Sequence, residues 1–186
     1  MQVLNIVAGP GAGKSTLASG LYYRAKCRGW NAELVTEVAK DLVWEGRSTA
    51  LANQAYVFGR QVQRLERLKN RVDLVITDSP VLLSAIYAPS DYPEEWESVV
   101  VKLWKSYNNV VAFLDRGSWF DNRGRVHNLE VSLEIDRKIA VLLTKHAITY
   151  TQVAHGYHNL DEVLDAVLAK QAQVGGDLRK GGVTCT

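Results

Sequence analysis

Gly9-Pro10-Gly11-Ala12-Gly13-Lys14-Ser15-Thr16 is the stretch on which the reading of this chain turns. It satisfies the pattern G-x-x-x-x-G-K-[ST] from Gly9 to Ser15, and its flanks fit too. The apolar run Val3-Leu4-Asn5-Ile6-Val7 predicts a buried strand before it, and residues 14–28 predict a helix after it. In that setting the glycines let the backbone curl until several N–H groups point inward at phosphate oxygens. The helix opening near Lys14 adds the positive end of its dipole. Gly9, Gly11, Ala12, Gly13, Lys14, Ser15 and Thr16 are therefore expected to cradle the phosphates of ATP or a close relative. Lys14 is expected to reach the β and γ phosphates, and the Ser15 hydroxyl to bind Mg²⁺.

Working outward, strands and helices alternate. Asn31 to Thr36, Asp73 to Thr77, Asn109 to Leu114 and Ile148 to Val153 predict four more strands. Helices are expected at 37–45, 48–70, 81–88, 94–105, 129–146 and 159–172. In the segment 48–70, Leu51, Ala55, Phe58, Val62 and Leu65 recur at spacings of four and three, the apolar stripe of an amphipathic helix. Beside it run Gln54, Val57, Gln61 and Arg64, so one flank is polar yet close to the core. Continuous apolar strands alternating with helices are the signature of a parallel sheet covered on both faces. Residues 1–174 read as one domain and 175–186 as a loose tail.

Mononucleotide sites in such sheets lie at the carboxyl ends of the strands, so the residues there matter most. Asp78 follows the third strand, which is expected to neighbour the strand of the phosphate loop. It reads as an Mg²⁺ ligand, with a helix N-cap as the alternative. Glu37 follows the second strand, where an acid either receives the proton of an acceptor hydroxyl or complements a helix dipole. Arg116 closes the fourth strand, and Arg123 and Arg125 follow in a Gly-, Arg- and Asn-rich loop. That loop reads as a lid whose arginines stabilise charge on a transferring phosphoryl group, or as a solvated loop. Gln54, Arg60, Gln61 and Arg64 are candidates to read the acceptor, and Trp44 and Trp119 to stack on a base. The basic run Arg60, Arg64, Arg67, Lys69 and Arg71 suits a phosphate backbone, although such a run is usually a solvated face.

Bulk composition narrows the classes. With 22 Lys+Arg against 20 Asp+Glu, net charge is +2, which neither demands nor excludes nucleic acid. Cys27 and Cys185 form no disulfide framework and no CxxC, which fits a reducing cytoplasm. No apolar run reaches the roughly 18 residues of a membrane span, and the first residues lack the basic start and cleavage site expected of a signal peptide. His155 and His158 lack Cys or acid partners at zinc spacing, so no structural zinc is expected.

The phosphate loop, then Thr36-Glu37-Val38-Ala39-Lys40-Asp41, Thr77-Asp78-Ser79-Pro80, Ser106-Tyr107-Asn108-Asn109 and Arg123-Gly124-Arg125, resembles a family of short phage-encoded P-loop kinases. The resemblance covers about residues 1–165; the loop is generic, and the later motifs in this order are fairly specific. Some members are 5-hydroxymethyluracil DNA kinases, which phosphorylate the hydroxymethyl group of a modified pyrimidine in phage DNA. The resemblance implies a three-layer α/β P-loop fold with a five-stranded, mainly parallel sheet and a short Arg-bearing lid. It also implies ATP, Mg²⁺, the loop lysine, acids near Glu37 and Asp78, and residence in the host cytoplasm. The first expectation for the acceptor is accordingly a modified pyrimidine in DNA. A small nucleoside or nucleoside monophosphate is the alternative within kinases. An ATPase or switch module acting on a protein partner is the alternative of another class.

Overall fold

A computed structural model of the protein describes residues 1–117, 128–156 and 159–169. Five strands form one sheet: β1 (Gln2–Val7), β2 (Ala32–Val35), β3 (Leu74–Thr77), β4 (Asn108–Leu114) and β5 (Thr151–Val153). Their order is β2-β3-β1-β4-β5 and every pairing is parallel. β1 lies at the centre, paired with β3 from Gln2↔Leu74 to Asn5↔Thr77 and with β4 from Gln2↔Asn108 to Val7↔Phe113. All six of its residues are buried, which is why this segment reads as a continuous apolar run.

The two faces of the sheet bury different helices. Leu4 and Ile6 join a cluster with Leu17, Leu21 and Ala25 of α1 (Lys14–Cys27) and with Leu164 and Val167 of α7 (Leu160–Ala169). Val3 and Val7 face the opposite way. They share a cluster with Leu65 of α4 (Gln54–Glu66), Val101 and Trp104 of α5 (Trp96–Lys105), and Ile135, Ile139 and Leu143 of α6 (Leu129–Lys145). A smaller cluster joins Val38 and Leu42 of α2 (Val38–Trp44) to Val57 of α4. At Gly20 an added Cβ would stand 2.8 Å from the Leu160 side chain, so this glycine lets α1 and α7 approach closely. Arg24 in the last turn of α1 and Arg28 at its C-cap pair with Asp161 and Asp165, one turn apart on α7.

The structure corrects several sequence boundaries. The expected single helix over 48–70 is two helices, α3 (Ser48–Ala52) and α4. Asn53 between them is extended, and its side-chain carbonyl accepts the Tyr56 N–H at 3.0 Å. An Asn that caps a new helix in this way competes with helix continuation, a contest the apolar stripe does not reveal. α4 also stops at Glu66, and Asn70 takes a left-handed turn at φ 61°, which Asn tolerates. The segment after Pro80 makes only a 3₁₀ turn, Val81–Ala85. β5 is three residues long because Ala147, at φ 51°, and the bond from Ile148 N–H to Leu143 C=O first close α6. The proposed tail and residues 118–127 lie outside the described residues.

One polar side chain interrupts the central strand. Asn5 is fully buried. Its amide donates to the Val3 carbonyl at 2.9 Å and to Asn109 Oδ1 at 3.0 Å, while its oxygen accepts the Trp104 indole N–H at 3.2 Å. Asn5→Ala strands that indole in the core. The substitution should cost about 2 kcal/mol. Urea unfolding should read this as a lowered midpoint with an unchanged slope; an unaltered midpoint would show that the network contributes nothing.

Candidate active site

Because all five strands are parallel, their carboxyl ends share one edge. The turn after β1 carries the phosphate loop, with Gly11 at φ 78° and Gly13 at φ 95°, both in the left-handed region. These are the positions where glycine is required for the curl. Gly13 precedes Lys14 as the N-cap of α1 and has no side chain to cap it. The first turn of α1 therefore offers its amides to an anion rather than to a capping oxygen. Lys14 is buried, and its Nζ donates to the Gly9 carbonyl at 3.1 Å, across the mouth of the loop. Ser15 is half-buried and Thr16 exposed, both on the first turn of the helix.

Asp78 directly follows β3, the strand hydrogen-bonded to β1. Only 3% of it is exposed. Its Oδ1 is shut away from water without a hydrogen-bond partner among the described residues. Burying a carboxylate oxygen without a donor or a cation is costly. The neighbouring Ser79 N–H donates to Thr77 Oγ1 at 3.1 Å, so it does not serve Asp78 either. A hard cation suits this oxygen, since carboxylate and hydroxyl oxygens are the ligands Mg²⁺ prefers. Asp78 and Ser15 are the residues that would hold it.

Glu37 lies one strand further out, at the N-cap of α2, and its side chain does not cap that helix. The turn that carries it is held from α4. The Gln61 side-chain oxygen accepts the Val38 N–H at 3.1 Å, and its amide donates to the Thr36 carbonyl at 3.2 Å. Arg64 donates to the same carbonyl at 2.9 Å and to Thr36 Oγ1 at 3.2 Å, and it also pairs with Asp41. Helical spacing made Gln61 and Arg64 candidates to read the acceptor. In the folded chain these two groups, with Asp41, instead brace the turn on either side of Glu37. Gln61 is 3% exposed, so its polarity serves the interior.

The remaining expectations scatter. Gln54 opens α4 and is half-buried, whereas Arg60 is exposed. Trp44 ends α2 with 69% of its surface exposed, and no described residue stacks on it. The basic run does not form one patch. Arg67 follows the last turn of α4, and the Arg71 carbonyl accepts from Asn31, just before β2 starts. Both arginines are thus at the amino edge of the sheet, the end away from the phosphate loop. Arg123, Arg125 and Trp119 lie outside the described residues.

Arg116 is found in a role not anticipated for a lid arginine. It donates to the Pro10 carbonyl at 2.8 Å and through Nε and a terminal nitrogen to Asp136 Oδ2 at 3.0 and 2.9 Å. The other oxygen of Asp136 accepts the Gly9 N–H. Neither Asp136 nor Ser132, one turn before it on α6, carries a sequence signal beyond helical spacing. At the root of the Arg-bearing segment, Gly117 touches the His155 ring, where an added Cβ would lie 2.1 Å from a ring carbon. A side chain at this position would require the His155 ring to shift.

The brace on the Glu37 turn has a direct test. Gln61→Ala removes partners from the Val38 N–H and the Thr36 carbonyl at once. Stability should fall by about 2 kcal/mol. Hydrogen exchange at the Val38 amide should accelerate more than at amides of the central sheet. Equal acceleration everywhere would mean that the bonds only support global stability.

The fold and this edge can be set beside known proteins. Two structures of deoxyadenosine kinase from M. mycoides superpose on the chain with a TM-score of 0.58 each. One contains dCMP and a flexible dCDP as products; it is 14% identical and covers 94% of this chain and 100% of its own. The other contains dATP; it is 15% identical and covers 92% and 100%. At such identity the likeness establishes the P-loop kinase fold, the three-layer α/β arrangement expected from the sequence. Comparison with curated proteins finds no significant match. A family profile described as AAA domain matches residues 4–159, most of the chain and every strand-end residue discussed above. The chain is a member of this AAA-domain family of P-loop proteins.

Proposed function

We propose that the protein is an ATP- and Mg²⁺-dependent kinase that phosphorylates a hydroxyl of a small nucleoside or nucleotide. The observation that carries this reading is the buried Asp78 oxygen, without a hydrogen-bond partner among the described residues, just after the strand beside the phosphate loop, with the braced Glu37 one strand further out. Phosphoryl transfer needs little covalent help. It needs the donor held, its charge balanced and an acceptor in line. The loop amides and Lys14 hold the triphosphate, Lys14 exchanging its bond to the Gly9 carbonyl for phosphate oxygens. Ser15 and Asp78 would hold Mg²⁺, which when bound neutralises charge on the β and γ phosphates. Glu37 takes the proton of the acceptor hydroxyl as its oxygen bonds to the γ phosphorus. The bond from that phosphorus to the β–γ bridging oxygen breaks, leaving ADP and a phosphomonoester. Arg123 and Arg125 would stabilise charge on the transferring phosphoryl group, the role the sequence suggests for them, whereas Arg116 is engaged by Asp136 and the Pro10 carbonyl.

Two supports favour a small acceptor. Two structural neighbours are deoxyadenosine kinases, one with dCMP and dCDP bound. The basic run that would track a DNA backbone is divided between opposite edges of the sheet. The resemblance to 5-hydroxymethyluracil DNA kinases keeps a modified pyrimidine in DNA as the second acceptor to be tried. Incubation with γ-labelled ATP and a panel of nucleosides, monophosphates, ordinary DNA and DNA containing 5-hydroxymethyluracil decides between them. Label on a free nucleoside or nucleotide is the expected result. Label on modified DNA alone, falling as salt rises through counterion competition, would replace it with the DNA reading. Phosphate release without any acceptor would point to an ATPase module.

The roles assigned here separate in kinetics. Lys14→Ala should abolish transfer with the fold retained. Glu37→Gln should cut turnover by about 10²–10⁴-fold with little change in ATP affinity. Asp78→Asn should move the Mg²⁺ dependence to higher concentration. Superimposable Mg²⁺ titrations of Asp78→Asn and the native chain would remove Asp78 from the metal.

A further inference from the structure

The phosphate loop is held from outside by a helix that none of its motifs announces. At Gly9 an added Cβ would come within 2.3 Å of the Ser132 carbonyl, so the start of the loop rests directly on the backbone of α6. Ser132 is fully buried, and its hydroxyl donates to the Asn128 carbonyl at 2.8 Å. One turn later Asp136 divides its two oxygens. Oδ1 accepts the Gly9 N–H, and Oδ2 accepts two bonds from Arg116. Arg116 in turn reaches the Pro10 carbonyl. The side chains of Arg116 and Asp136 are only 10% and 19% exposed. Three segments distant in sequence, at 9–10, 116 and 136, are thereby fastened together.

We propose that Asp136 is a positioning residue for nucleotide binding: through the Gly9 amide and the Arg116–Pro10 link it presets the curl of the phosphate loop. The proposal rests on the reading that this loop binds ATP. Charge alone makes the opposite prediction. A carboxylate beside a triphosphate site repels the ligand, so neutralising it should tighten binding. Positioning requires that neutralising it weaken binding, because Asn has one acceptor oxygen for two donors and turns an NH₂ group toward either Gly9 or the guanidinium. Arg116 offsets the carboxylate charge in the native pair, so the aspartate serves the loop without opposing the phosphates.

The test is direct binding of Mg²⁺ and a non-hydrolysable ATP analogue to the full chain, measured by calorimetry. The variants are Asp136→Asn, Arg116→Lys, their double mutant and Lys14→Ala. Asp136→Asn should weaken binding about tenfold, the scale of a lost charge-assisted hydrogen bond. KM for ATP should increase more than kcat falls, a split that a loss of global stability alone would not produce. Arg116→Lys keeps the charge but loses the fork that reaches Asp136 and Pro10 together, and should weaken binding similarly. It serves also if Asp136→Asn does not fold. The double mutant should be little worse than either single mutant, the signature of one shared link. Equal or tighter binding by Asp136→Asn, or by Arg116→Lys where the former is unfolded, would overturn the proposal while leaving the ATP site standing. Native-like binding by Lys14→Ala would instead sink the loop as the nucleotide site, and the proposal with it.

Discussion

Strands that run parallel must all end on the same edge of their sheet, and β1 has a neighbour on each side. Pairing Asn5 with Thr77 brings the end of β3 beside the phosphate loop, and pairing Val7 with Phe113 brings the end of β4 to its other flank. Asp78 and Arg116 sit beside the loop for this reason alone. Glu37 is one strand further away because β2 pairs with β3 and not with β1. The apolar filling on both faces keeps this register, since slipping a strand by one residue would turn its core side chains outward.

The chemistry-bearing turns are stiffened by helices that carry no motif of their own. α4 supplies Gln61 and Arg64 to the Glu37 turn, and α6 supplies Asp136 to the phosphate loop. Both helices lie on the same face of the sheet, opposite α1 and α7. Their polar groups are buried or half-buried at the places where they meet backbone. Short turns cannot satisfy all their own N–H and C=O groups, so neighbouring side chains complete them. The opposite face holds α1 and α7 through the close contact at Gly20 and paired surface charges, each worth little on its own.

Local pattern carried a large share of this structure into view. Gly9 to Ser15, a strand before and a helix after, announced the loop, because curling backbone around phosphate demands glycines at defined spacing. Continuous apolar runs announced a covered parallel sheet, and adjacency of the third strand to the first put Asp78 at the edge beside the loop. These features depend on near neighbours in the chain, or on the burial of whole strands. The splitting of the 48–70 helix at Asn53 was not legible, since capping and continuation are both open to Asn until tertiary contacts choose.

Polar faces are where the reading of residues and the folded molecule part company. Helical spacing placed Gln61 and Arg64 on one flank but said nothing of what that flank meets, and the answer was the β2–α2 turn. It gathered five basic residues into one run, which the ends of α4 and the sheet then separated. Arg116 read as a lid arginine over phosphate; folding paired it with an aspartate 20 positions away and a carbonyl 106 positions away. The sequence by itself determined the phosphate loop, the apolar strands and the helical class, each of which is set by short-range geometry or by water's exclusion of apolar surface. Only the tertiary structure decided which polar side chain serves substrate and which serves backbone, because a hydrogen bond between distant segments exists only once packing has brought its donor and acceptor within about 3 Å.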